Sequence, residues 1–222
     1  MYTIDISTFW HLIGSFFSLV GGALRLDPAA FREVQTSASA NLLTPLILIL
    51  AGISVTLGQS VVLLANKVTP RRFVMSLLAN EAIFAVKVLI WVGIYQLVTR
   101  LFFGIQPPFP EMARVVGLAF APLSLGFFIL LPYLGAFLAR VLDIWSSLAM
   151  LVALHVILRL FFWQAVLCAL IGFAMIQLLK YTIGRPIVAL EQWLRQAVAG
   201  VPLSYRMQEL VSVGGKRKGK VP

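Results

Sequence analysis

The chain has 222 residues, 60% of them hydrophobic and only 12% charged, with a mean hydropathy of +0.96. No soluble core of ordinary composition hides that much apolar surface, so a soluble globular fold is excluded and a polytopic membrane protein is expected. The net charge of +10 is uneven: from Lys180 onward eight Lys or Arg accompany two acids, whereas the preceding 179 residues carry ten against six.

In chain order, the opening MYTIDISTFWHLIGSFF has an aspartate and no Lys or Arg ahead of its apolar run, so a cleaved secretory signal is not expected. Residues 6–24 are uncharged, with a narrow weakly polar stripe of His11, Ser15, Ser18 and Gly22. As a helix this run is about 28 Å long, marginal for crossing, and is expected to lie in the membrane plane. Asp27 and Pro28 then suit the cap and first residue of a short helix through AAFREV. Residues 1–41 are therefore read as an amphipathic, interfacial segment.

The membrane domain is expected over residues 42–183. Its first span is residues 42–65, where Thr44 followed by Pro45 suits a helix start. After the polar link NKVTPRR, residues 73–103 form an overlong helical stretch that must tilt, bend or protrude, ended by the three prolines of GIQPPFPE. The third span, 112–131, carries Pro122 at its middle, and LPYLG provides a turn before the fourth, 135–160. RLFFWQ offers no Gly or Pro to separate the fourth from the fifth, but one helix over 144–179 would be about 54 Å long, so a break is required. The fifth span is 162–183. The fold class expected is thus an all-α helical bundle of five transmembrane helices, six if the N-terminal run also crosses, with flanking amphipathic helices.

Residues 184–222 hold the second amphipathic segment and the basic tail. In PIVALEQWLRQAVAG, Ile187, Leu190, Trp193, Leu194, Ala197 and Val198 share one face, and Glu191, Gln192, Arg195 and Gln196 the other. Pro186 opens this helix and Gly200 with Pro202 closes it. The following GGKRKGK reads as a topology determinant or a contact for anionic headgroups, and specific nucleic-acid binding is not expected. With five spans and a cytoplasmic C-terminus, twelve Lys or Arg fall inside and five outside, which favours that orientation over its inverse.

Few residues offer chemistry. Cys168 is the one cysteine and lies in an apolar run, so it forms no internal disulfide, and with two histidines it makes a conventional zinc site implausible. H-E-x-x-H, G-x-S-x-G and Walker-type sequences are all missing. Ser147 and His155 are about 12 Å apart along one helix, too far for a dyad. His155 and Arg159 share a face at i, i+4, either as an anion or proton site or, as favoured here, with Arg159 snorkelling to headgroups and His155 bonding a neighbouring helix. Arg140 and Asp143 are read as a local ion pair, Pro122 as a structural kink, and Ser54 with Gly58 and Gly117 with Ala121 as close-packing pairs.

Glu81 and Lys87 interrupt the second span. Six residues apart, they are separated by about 120° and about 9 Å, so they are not a ready-made pair. Lys87 shares its face with Asn80 and Trp91 and is expected to snorkel inward, and Glu81, about two turns from Phe73, is expected near headgroup depth. No catalytic, cofactor-binding or metal-binding residue is assigned.

The stretch PEMARVVGLAFAPLSLGFFILLPYLGAFLARVLDIWSSLAMLVALHVIL, with Pro122 in one span, a Pro-Tyr-Leu-Gly turn and Trp145 in the next, resembles the Yip-domain family, the Ypt/Rab-interacting membrane proteins and their bacterial relatives. DPAAFREV is similar to that family's amphipathic lead-in, and the likeness covers roughly residues 24–183. It implies a five-helix, non-enzymatic membrane protein, associated in eukaryotes with vesicle traffic and membrane shaping. The chain differs in having almost no polar N-terminal domain and a charge balance that favours an inside C-terminus. The function expected is that of a scaffold or accessory factor, with a small channel or transporter component as the alternative. Expected partners are the bilayer, its anionic headgroups through the basic tail, and a membrane protein or a second copy. The expected location is a bacterial cytoplasmic or thylakoid-like membrane.

Overall fold

The computed structural model describes residues 4, 8–59, 70–131, 133–159 and 161–178. Among these, all regular structure is helical. The helices are α1 (Phe9–Leu24), α2 (Pro28–Thr36), α3 (Ala40–Gln59), α4 (Pro70–Phe103), α5 (Phe109–Ala119), a 3-10 segment (Ala121–Leu130), α6 (Gly135–Leu158) and α7 (Phe162–Leu178). Four stretches are long and apolar enough to cross a bilayer: Ala40–Gly58, Leu77–Phe103, Phe109–Leu130 and Gly135–Leu158. The chain is a multi-pass membrane protein built as a helical bundle.

The expected fifth span, 162–183, is helical over Phe162–Leu178. That is about 26 Å of helix; residues 179–183, the amphipathic segment after Pro186 and the basic tail all lie outside the described residues. The same holds for the end of the first span after Gln59 and for most of the NKVTPRR link.

Local chemistry explains most of the boundaries. Asp27 caps α2, its Oδ1 accepting from the Ala29 N–H at 2.9 Å, and Pro28 occupies the first turn. Gly104, at φ +65°, ends α4, and Gln96 Nε2 donates to the Pro107 carbonyl at 3.0 Å, folding the proline-rich turn back on the helix. The break required by length falls at Arg159, whose left-handed conformation (φ 50°) stops α6. Gln164 Oε1 then accepts from the Phe161 N–H at 3.2 Å, half of a capping box that starts α7.

One boundary differs from expectation. Helix α3 begins at Ala40, so Pro45 sits inside it rather than at its start. Proline removes the donor that the Asn41 carbonyl would use. The turn before it is tight, with Asn41 N–H bonded to the Ala38 carbonyl at 3.0 Å and Leu42 N–H to Ser39 at 3.2 Å. These i, i+3 bonds start the helix ahead of the proline, and interhelical packing offsets the lost bond.

The core runs along the interior faces of the spans, through Leu43, Ile47 and Ala51 of α3, Val92 and Val98 of α4, Met112, Val115 and Leu118 of α5, and Ala149, Ala153 and Leu154 of α6. The outward faces are equally apolar: Leu46, Ile49, Leu50, Leu89, Leu97, Phe137, Ile144 and Leu148 are exposed. With lipid outside, apolar character does not separate inside from outside; small residues and interhelical hydrogen bonds set the contacts.

The N-terminal helices are docked on this bundle. Leu19, Val20 and Ala23 of α1 and Ala30, Phe31 and Val34 of α2 are buried. α1 has 16 residues, about 24 Å, and is shorter than a membrane span. Trp145, the eleventh residue of α6, donates its indole N–H to the Leu24 carbonyl at 3.0 Å. The α1–α2 corner therefore lies beside the middle of α6, a placement that the amphipathic pattern of residues 1–41 did not announce.

Candidate functional site

The most extensive contact in the bundle joins α3 to the 3-10 segment. Pro122 has no N–H to donate to the Leu118 carbonyl, and here the α-helical ladder gives way: α5 stops at Ala119. The chain continues as ten residues of 3-10 helix, long for a form usually limited to 3–4 residues. Such a segment needs outside partners, and α3 supplies one. Ser54 Oγ donates to the Ser124 carbonyl at 2.6 Å and accepts from the Phe127 N–H at 2.8 Å. One hydroxyl thus bridges the segment from the side.

Glycines bring the two backbones close enough for this. A Cβ on Gly58 would run into the Gly126 carbonyl oxygen, and one on Gly126 would meet Val55 at 2.6 Å. On the α5 half of the same span, a Cβ on Gly117 would strike the Thr44 methyl. Ser54, Gly58, Gly117 and Ala121 are all buried, as close packing of those pairs requires. The expected kink at Pro122 is therefore a change of helix type that a neighbouring hydroxyl stabilises.

A second polar cluster joins α2, α3 and α5. Arg114 Nη1 donates to Asn41 Oδ1 at 3.0 Å and its Nη2 to the Gln35 carbonyl at 2.6 Å. Gln35 Nε2 in turn donates to Glu111 Oε2 at 3.3 Å. Sequence reasoning placed Arg114 only as an outside charge. Its partners Gln35 and Asn41 lie 79 and 73 residues away, and nothing in the local pattern joins them.

Glu81 turns inward, toward α3. It faces Gly52, the thirteenth of the 20 residues of α3, and a Cβ at Gly52 would overlap the Glu81 carboxylate. Its Oε1 is buried and has no hydrogen-bond partner. The carboxyl turns into the bundle, where the glycine leaves room. Lys87 is exposed, on the outside of the bundle. The two charges point apart, as their six-residue spacing implies.

The remaining candidates lie on or next to α6 and α7. Ser147 Oγ donates to the Asp143 carbonyl one turn back at 2.8 Å, while its side chain is exposed. His155 packs edge-on to Phe162, ring centroids 6.3 Å apart, with Nδ1 buried and unbonded. Arg159 is exposed and lies past the end of α6, so its left-handed backbone removes it from the helical i, i+4 register with His155. Arg140 and Asp143 are both exposed on α6. Cys168 is buried on α7, where Gly172, one turn further on, packs against the Tyr95 ring of α4. Among the described residues no three His, Cys, Asp or Glu side chains are grouped to hold a metal ion.

No family model, curated protein or solved structure matches the chain.

Proposed function

We propose that this chain is a non-enzymatic integral membrane protein of the Yip-domain type, acting as a scaffold or accessory factor in membrane organisation or partner assembly. What supports the reading is the use made of the residues that carry the resemblance. Asp27 and Pro28 start α2, Trp145 holds the corner before it by the Leu24 carbonyl, and Pro122 sets up the segment bridged by Ser54. The Trp145 bond fastens the pair of short N-terminal helices to the membrane domain, and the Ser54 bridge holds two of that domain's elements together. On the docked α1, Phe9, Trp10 and Phe17 remain exposed. Aromatic side chains so placed suit a membrane interface or a neighbouring membrane protein.

The membrane is bacterial or thylakoid-like in this proposal, and the C-terminus is cytoplasmic because Lys and Arg fall twelve to five on that side. Affinity purification of the full chain in mild detergent tests the function. A specific membrane-protein partner or a defined homo-oligomer is expected; a monomer with no specific partner counts against it. The channel or transporter alternative draws on the unpartnered Glu81 carboxyl. Solute flux in proteoliposomes that Glu81→Gln abolishes would replace the scaffold reading.

A further inference from the structure

We propose that Glu81 is a proton-binding site within the membrane domain, its carboxyl seated in the notch that Gly52 leaves in α3. The notch is specific in shape: a Cβ at residue 52 would occupy the space of both carboxylate oxygens and Cδ. It lies opposite the thirteenth of the 20 residues of α3, and Oε1 is buried with no hydrogen-bond partner. With Oε1 buried and no described cation beside it, a carboxylate there is poorly solvated, whereas the protonated acid is neutral and gains an O–H that helix carbonyls can accept.

Among the described residues, the surrounding elements supply no cation to hold the anionic form. Helix α3 has no titratable side chain anywhere along its length. From α5 come only Glu111 and Arg114, and Arg114 is bound to Asn41 and Gln35. On α4 itself, Lys87 is exposed about 120° round the helix, Arg71 and Arg100 are exposed near its two ends, and Tyr95 faces α7. The one titratable group of α7 is Cys168, a neutral thiol in its protonated form. The ligand that fits is a proton, taken up by the carboxylate oxygen with no other bond changed. This inference does not depend on the scaffold reading and adds an ionisable site to the bundle.

The experiment uses the full chain in phosphatidylcholine vesicles and the apolar reagent dicyclohexylcarbodiimide. A protonated carboxyl adds across one C=N bond: its oxygen joins the central carbon, its proton goes to nitrogen, and the acyl group then migrates to nitrogen as a stable N-acylurea. Nothing leaves, so peptide mass spectrometry reads the addition of one reagent molecule. Glu81 is expected to be labelled several-fold more than Glu33 and Glu111, with labelling that falls as pH rises and is absent in Glu81→Gln. Gly52→Ala, which pushes the carboxyl from its seat, is expected to lower labelling several-fold; if that variant does not assemble, Glu81→Asp, shorter by one methylene, makes the same comparison. Labelling of Glu81 no greater than that of Glu33 and Glu111, labelling independent of pH, or undiminished labelling in an assembled variant overturns the proposal.

Discussion

Toward the 3-10 segment, α3 presents Ser54, whose hydroxyl meets a carbonyl and an N–H left over by the break at Pro122. Toward α4 it presents Gly52, against which the Glu81 carboxyl rests with an oxygen unbonded. Two residues apart on one helix, these contacts use small side chains to opposite ends. At Ser54 the space is filled by a group that satisfies polar backbone, as stability in lipid requires. At Gly52 the space is taken by an ionisable group that stability does not need. The contrast separates a polar contact that holds the bundle from one that carries chemistry.

Substitutions that close the α3 contact with the 3-10 segment are expected to have the largest effect. Gly58→Leu forces a side chain onto the Gly126 carbonyl, and backbone on one side cannot yield, so a loss of about 3 kcal/mol or failure to assemble is expected. Size-exclusion chromatography in detergent reads this directly. Ser54→Ala keeps the packing but strands the Ser124 carbonyl and the Phe127 N–H, at a cost of roughly 1–3 kcal/mol in denaturant unfolding. Trp145→Phe removes one bond, to Leu24, and should cost about 1 kcal/mol and loosen the N-terminal helices to limited proteolysis. Lys87→Leu, on the outer face, should change stability by no more than about 0.5 kcal/mol. A large loss at Lys87 would mean that the exposed face of α4 makes contacts beyond lipid.

Span lengths, prolines and turn residues made the layout legible in the sequence. The break before α7 was required by length, but its agents, a left-handed Arg159 and the Gln164 cap, carried only the weak signal of a glutamine three residues into a helix. Ser54 and Gly58 stood out as a small-residue pair, yet that pattern does not name the opposing Ser124 and Gly126, 70 residues or so further along. The Arg114 cluster and the Trp145 contact were illegible for the same reason. In lipid both faces of a span are apolar, so periodicity does not tell which one meets a neighbour. For Glu81, sequence position gave its height along α4 but not the Gly52 notch, because crossing helices bring residues of different height together.

The central contrast is tested most directly by denaturant unfolding of Ser54→Ala and Glu81→Gln side by side in one detergent. Ser54→Ala is expected to lose stability by roughly 1–3 kcal/mol, while Glu81→Gln, which copies the shape and neutrality of the protonated acid, should match the parent chain or exceed it. A Glu81→Gln variant as unstable as Ser54→Ala, or a Ser54→Ala variant indistinguishable from the parent, would contradict the account.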